Sequence, residues 1–225
     1  MQVSILRNFI CQADYKSLEN RTIAILSGDP TLIKWFQDDV DVHIETAKIL
    51  FDIDKVTTVQ RELSKQARYG FHYGATLDTV YEQISGRYPD ISLRDVKRLY
   101  DKLKQLHPVL AAYLDEAYNK AVKRDYIEEP FSGYRYQCYG KVEPPKSRNL
   151  PNQMAAAYLM NKAANKINNF LSLYPFLGTN DLEESILMQV HDSFLLEGPD
   201  PFRLFDILKN NMEQDATLMV IQLDF

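Results

Sequence analysis

The sequence predicts an α+β fold, and three observations carry that prediction. Strand-type runs stand near both ends of the chain, at NFICQAD and TLMVIQLDF. Two further runs, SILMQV and SFLLE, are separated by two residues and read as a hairpin. Between the first run and that hairpin, the apolar residues recur with mainly helical periodicity, punctuated by caps.

Taken in order, NFICQAD is followed by SLENRTIAILSG, where the period shifts from strand to helix and closes at Gly28. Asp29 followed by Pro30 makes an N-cap and first-turn pair, Asp41 caps DVHIETAKILF, and Asp54 is the expected cap of the helix that carries Arg61 to Tyr69. Several helices follow with short links. Leu93, Val96, Tyr100 and Leu103 form a stripe after Ser92, whose partner Asp95 makes a weaker capping box than Glu would. Another helix is expected from Val109 to Val122. From Tyr126 to Pro151 aromatic, Gly and Pro-containing segments suit short strands and a crossing loop, and MAAAYLMNKAANKINNFL is helical again. The hairpin turn is His191–Asp192, although such turns favour Gly or Asn, which accept positive φ cheaply. That choice of residues suggests a tip kept for chemistry. Asp200 and Pro201 open a final helix before the last strand.

Composition narrows the class. The 225 residues suffice for one large or two small domains, and 45% hydrophobic content is ample for a core. No apolar run reaches the roughly 18 residues of a membrane span, and MQVSILRNF does not have the layout of a signal peptide, so no membrane association is expected. Cys11 and Cys138 have neither metal-ligand spacing nor disulfide-scaffold density, and both are expected to be free, buried thiols in a reducing compartment. A net charge of −5 argues against a protein that coats nucleic acid. Local clusters matter more than the sum: basic residues gather in SLRDVKRLYDKLK and KVEPPKSR, acidic ones in DLEE. The first basic cluster suits a solvated helix face as well as a DNA track.

One stretch, RELSKQARYGFHYGA, carries the chemistry furthest. Arg61, Lys65, Tyr69 and Tyr73 are four apart, so on a helix they line one edge, each about 40° further round than the last. From Arg61 to Tyr69 the helix rises about 12 Å, roughly the reach of an extended triphosphate and sugar. Phosphates would meet Arg61 and Lys65, and the base or ribose Tyr69. A solvated flank beside a core stripe has the same spacing. Gly70 and Gly74 shift the balance, since each costs a helix about 1 kcal/mol relative to Ala and so points to close backbone approach or a hinge.

RELSKQARYGFHYG resembles the RxxxKxxx(F/Y)GxxYG motif of family A DNA polymerases, the bacterial polymerase I and phage replicase group. DYKSLENR, from Asp14 to Arg21, is similar to the family's DYSxxExR motif, and MQVHDSFLLE, from Met188 to Glu197, to its QVHDE motif. With each residue type near 5% usage, six fixed positions recur by chance about once in 10⁸ starts, and three motifs occur here in the right order.

The resemblance implies a palm with a small antiparallel sheet, built from the first-motif strand and the third-motif hairpin, plus mainly α-helical fingers. Residues 1–28 would be the first part of the palm, 29–135 the fingers and 136–225 the second part of the palm. It also implies template-directed addition of deoxynucleotides to a primer 3′-hydroxyl by two-metal nucleotidyl transfer. Two Mg²⁺ ions, with Mn²⁺ able to substitute, would be held by Asp14, Asp192 and the backbone carbonyl of Tyr15. One or two carboxylates plus substrate phosphates are enough for Mg²⁺. Asp14, Asp192 and Lys65 are the implied catalytic residues. The nucleotide would be bound by Arg61, Lys65, Tyr69, Tyr73, Glu19 and His43. Glu19 would exclude a 2′-hydroxyl with Tyr73 as its partner, and the hydroxyl of Tyr69 resembles phage-type members that tolerate dideoxynucleotides. NLPNQ is similar to the family segment NAPxQ and places Asn149 and Gln153, with His191, Gly74 and Arg148, near primer–template DNA.

Two departures stand out. Ser193 occupies the position of the Glu that usually follows the third-motif Asp, which predicts reduced or altered metal binding rather than inactivity. Pro145 stands where the family has an Arg, and Lys146 or Arg148 would have to substitute. The resemblance further implies a thumb and an exonuclease domain on a second polypeptide, as in a split polymerase from a phage, acting in the cytoplasm of an infected bacterial host. The rival reading is a non-catalytic DNA- or protein-binding remnant that keeps the fold.

Overall fold

The computed structural model describes residues 9–173, 184–213 and 221–224. The elements in chain order are β1 (Phe9–Tyr15), α1 (Leu18–Ser27), α2 (Pro30–Gln37), α3 (Val42–Phe51), α4 (Thr58–His72), α5 (Leu77–Ser85), α6 (Leu93–Leu106) and α7 (Pro108–Arg124). There follow β2 (Tyr126–Glu128), β3 (Arg135–Gln137), α8 (Pro144–Leu173), β4 (Ser185–Val190), β5 (Ser193–Gly198), α9 (Pro201–Met212) and β6 (Ile221–Asp224). The expected α+β class holds. Of the expected last strand, residues 217–220 lie outside the described residues, as do the first three residues of DLEE.

The chain divides into two compact units, Met1–Leu18 with Ala156–Phe225, and Glu19–Ala155. In the first, the sheet unit, four antiparallel strands run in the order β4-β5-β1-β6. FICQADY alternates, burying Cys11, Ala13 and Tyr15 on one face while Gln12 and Asp14 take the other. Phe194 pairs with Ala13 and Leu196 with Cys11, so the same face continues across β5. There α9 packs on β1 and β5 with Leu204, Ile207, Leu208 and Met212 buried, and the Tyr15 hydroxyl donates to the Met212 carbonyl at 2.6 Å. Fully burying each such side chain contributes about 1.5–3 kcal/mol.

The second, helical, unit stacks α3, α5 and α6 against α4, with α7 on α6 and the β2–β3 hairpin on α7. Its caps follow the sequence in most places. Asp29, Asp41 and Ser92 cap α2, α3 and α6, and Asp95 closes the box as expected. The cap of α4 does not follow. It is Thr57, with Gln60 returning the bond to the Thr57 N–H, three residues later than the expected Asp54. Threonine with Gln at the third helical position forms a reciprocal box that a lone Asp cannot match.

The crossing loop expected up to Pro151 is also replaced, because α8 starts at Pro144 and runs through Pro151. Pro144 and Pro145 occupy the first turn, where a missing N–H costs nothing. Pro151 removes a single rung, and the Ala-rich stretch after it has propensity enough to continue. Gly70 is an interior helix residue because a Cβ there would lie 2.4 Å from Val80 Cγ2; close packing of α5 on α4 demands it. Cys11 is buried and Cys138 only half-buried, and neither is in a disulfide.

Candidate active site

In the sheet unit, ladder register brings the backbones at Asp14 and Asp192 close together. Asp14 is the Cα partner of Ser193, and the Tyr15 N–H donates to the Asp192 carbonyl at 3.0 Å. Paired antiparallel Cα atoms lie roughly 4.5–5.5 Å apart, so the backbone at Asp14 runs beside Ser193 and the adjoining Asp192 at the mouth of the hairpin. Both are half-buried. At the tip His191 adopts φ of 52°, a strained left-handed conformation for a non-glycine residue, and it is exposed.

Ser193, in the place of the family's Glu, is 4% exposed. Its hydroxyl donates to the Val190 carbonyl at 2.9 Å and accepts from the Gln12 amide at 3.3 Å. It is a latch across the turn. Among the described residues no group of three or more His, Cys, Asp or Glu is arranged to hold a metal. Two carboxylates with hard oxygen donors nevertheless suit Mg²⁺, which commonly takes only one or two carboxylates and completes its shell with phosphate and water.

In the helical unit Arg61, Lys65 and Tyr69 stand on successive turns of α4, and Tyr73 is its C-cap. Tyr69 and Tyr73 stack with ring centroids 5.7 Å apart and an interplanar angle of 15°. The His43 ring lies 5.6 Å from Tyr69. The Tyr73 hydroxyl donates to Glu19 Oε2 at 2.5 Å across 54 residues of sequence. Burial first, and Glu19 second, push that phenol well above its usual value, so it remains a donor. Asn152 Nδ2 donates to the Glu19 carbonyl at 3.1 Å, fixing the backbone behind the carboxylate.

Arg61 donates to Asp41 Oδ2 from Nε at 3.2 Å and Nη2 at 2.9 Å, and Nη1 reaches Glu62 at 3.4 Å. Lys65, half-buried, is one turn further on. Burial, followed by the charge of Arg68, pulls His43 down to about 4. At neutral pH it is an uncharged imidazole, so the cations of this edge are Arg61 and Lys65.

Four of the predicted DNA-facing residues line two adjoining clefts of the helical unit, which share Ala75. Asn149 and Gln153 line a cleft of about 340 Å³ with Tyr73, Pro145 and Lys146. Gly74 has φ of 64° at the end of α4, and a Cβ there would meet Arg148 Cβ and Cδ at 2.6 Å. Arg148 packs its stem on that glycine and donates through Nη2 to Asp115 at 2.8 Å. Lys146 donates to the Tyr136 hydroxyl at 2.6 Å. Arg148 also borders a second cleft, of about 360 Å³, that contains Lys97, Tyr100 and Lys104 from the basic segment of α6.

Sequence reasoning missed three features. Asn152 and the Asp41–Arg61 pair are set by tertiary contact. The third is a polar core beneath α4. Arg68 is fully buried, donates from Nε to His72 Nε2 at 3.3 Å, and has neither Nη atom partnered. His107 Nδ1 meets Asp29 Oδ1 at 3.1 Å, and Asp29 also accepts the Leu32 and Leu110 N–H groups. Burial lowers His72 and His107, which are therefore neutral, and it draws Arg68 down to about 10, still charged at neutral pH. Burial alone would raise Asp29, but the hydrogen bonds from His107, Leu32 and Leu110 together hold it below the usual carboxylate range. The i, i+4 spacing of Arg68 and His72 was the available signal, but Asp29 and His107 are remote in sequence.

Residues 3–224 match the model of DNA polymerase family A. The chain is 29% identical over 212 residues to the thermostable DNA polymerase I of Thermus thermophilus, covering 87% of this chain and 24% of that protein. It is 29% identical over 223 residues to DNA polymerase I of Caldicellulosiruptor bescii, covering 94% and 25%. It thus spans about a quarter of the length of these relatives. Among solved structures, the polymerase domain of Pol1 from M. smegmatis, in complex with DNA primer–template and dNTP, superposes with a TM-score of 0.82 at 23% identity, covering 95% of this chain and 38% of that one. With residues 3–224 of its 225 matched by the family model, the chain belongs to DNA polymerase family A.

Proposed function

We propose that this chain is the nucleotidyl-transfer portion of a DNA polymerase, with residues 1–28 and 136–225 acting as palm and residues 29–135 as fingers. The observation that carries the proposal is the convergence of Asp14 and Asp192, 178 positions apart in the sequence, through the Tyr15 N–H to Asp192 carbonyl bond. Asp14 and Asp192, with the Tyr15 carbonyl, would hold two Mg²⁺ ions, which supply charge relief at the attacking 3′-oxygen and the departing pyrophosphate. Arg61 and Lys65 bind the triphosphate. Tyr69 carries the base or sugar on its ring, and Glu19, held by Tyr73 and Asn152, closes the space that a 2′-hydroxyl would need. Asn149 and Gln153 contact the primer–template duplex from their shared cleft, His191 stands beside the primer end, and the Gly74 turn with Arg148 beneath it borders the template.

The proposal includes a second polypeptide that brings thumb and exonuclease functions. Phe9, Ile10, Leu187, Met188 and Val190 are large apolar residues 39–60% exposed on the sheet unit, and they support a covered surface there. A phage origin, with the host cytoplasm as the compartment, goes with that arrangement. Among the described residues no helix is long and apolar enough to cross a membrane.

One observation favours a non-catalytic remnant instead. Ser193 is spent on latching the hairpin and supplies no carboxylate. Primer extension with Mg²⁺ and dNTPs, run with and without a second polypeptide that carries thumb and exonuclease domains, separates the two readings. Extension in either condition is the expected result; normal duplex binding with no extension in both would establish the remnant.

A further inference from the structure

The carboxylate of Asp41 has two jobs in the structure, and they point in different directions. Oδ1 accepts the N–H groups of His43 at 2.8 Å and Ile44 at 3.1 Å, capping α3. Oδ2 accepts from Arg61 Nε and Nη2 on α4, at 3.2 and 2.9 Å. A single side chain therefore sets both the first turn that carries the His43 ring and the guanidinium of Arg61. The fork of an arginine has two usable edges. Asp41 occupies the Nε–Nη2 edge, and the Nη1–Nη2 edge is left with only the long 3.4 Å approach of Glu62. That second edge is the one that matches two phosphate oxygens.

We propose that Asp41 is a positioning residue for the nucleoside triphosphate: it clamps one edge of Arg61 so that the other edge faces phosphate, and it fixes His43 in step with it. This rests on the nucleotide-binding assignment of α4 made above. The pair is about one-third exposed on each side, so its value lies in orientation more than in stability. A freely rotating guanidinium would lose part of its binding energy to ordering at the moment of contact.

Asp41→Asn separates the two jobs. Asparagine is as good an N-cap as aspartate, but its amide cannot offer a charged acceptor to Nε and Nη2. Helix content and Tm should be retained, while the dNTP dissociation constant, read by titration calorimetry in Mg²⁺, rises about tenfold, the loss expected for one charge-assisted pair. In primer extension the same variant should raise KM about tenfold with kcat changed less than about threefold. In an Arg61→Lys background, where no fork remains to be oriented, Asp41→Asn should change dNTP binding less than about twofold. Wild-type binding with an unaltered dissociation constant for Asp41→Asn would overturn the inference alone. Equal losses in both backgrounds would also overturn it, because the effect would not pass through Arg61. A wild-type chain that binds no dNTP would instead remove the nucleotide assignment, and this inference with it.

Discussion

The sheet unit and the helical unit hold their candidate residues in place by opposite means. In the sheet unit the layer between the sheet and α9 is apolar, with Ala13, Phe194, Leu196, Leu204 and Leu208 buried, and the backbone at Asp14 and Asp192 is positioned by ladder bonds at the sheet's end. In the helical unit the support beneath the α4 edge is itself polar and charged, with Arg68, His72, His107 and Asp29 all fully or almost fully buried. Side-chain hydrogen bonds fix its geometry. An apolar core tolerates changes at its rim, because the burial of its side chains does not depend on the groups that stand there. A buried polar network does not, since removing one member strands the others.

The sharpest way to break this comparison is Asp29→Ala against Asp14→Asn. Asp29 is completely buried, caps α2, and accepts from His107 and Leu110. Its loss should cost about 3–5 kcal/mol in urea denaturation. Asp14→Asn, an isosteric change at a half-buried position, should cost no more than about 1 kcal/mol. Comparable losses would mean that the two regions are supported alike.

A second effect of similar sign follows from pH. His43, His72 and His107 have folded-state values below the ordinary imidazole range, largely through burial. A histidine held neutral contributes stability that is complete above the unfolded pKa, near 6.5, and is lost as pH falls toward the folded value. For His43, whose folded value is about 4, the loss between pH 6.5 and 4 is at most about 3 kcal/mol. The helical unit should therefore melt first on acidification. Three of the chain's four histidines lie in it. Hydrogen exchange of each unit between pH 7 and 4 measures this, and earlier opening of the sheet unit would contradict it.

A smaller effect sharpens the role of the α4 edge. Glu19→Ala should lower discrimination against ribonucleotides by about 10- to 100-fold, with stability nearly unchanged because Glu19 is half-buried and its backbone anchor to Asn152 survives. Competition between dNTP and rNTP in single-turnover incorporation reads the ratio. Unaltered rejection would place the gate elsewhere.

These contrasts track what could be read in the sequence. The strands, the hairpin and the α4 edge were legible because period and spacing are local, and even the strained tip at His191 was signalled by the absence of Gly or Asn. Asp54 misled, since a good capping residue loses to a reciprocal Thr57–Gln60 box a few residues away. Pro151 misled in the other direction: proline marks a break in isolation, but a long helix can lose one rung and continue. The pairs Asp41–Arg61, Asp29–His107 and Asn152–Glu19 join segments remote in sequence. Nothing at either end of such a pair announces its partner. Ser193 was visible as a departure from the family, yet its latch to Val190 and Gln12 needed the folded hairpin.

The central claim is that Asp14 and Asp192 act as one metal-holding pair. Single-nucleotide incorporation by Asp14→Asn, Asp192→Asn and the double variant, at saturating Mg²⁺ and with folding verified by thermal melting, tests it most directly. Each single change should lower the rate about a thousandfold or more, several kcal/mol of lost charge stabilisation. The double change should cost little beyond either one, because groups that act as a unit are not additive. Incorporation within about threefold of wild type in either single variant, or losses that simply multiply in the double, would contradict the pairing.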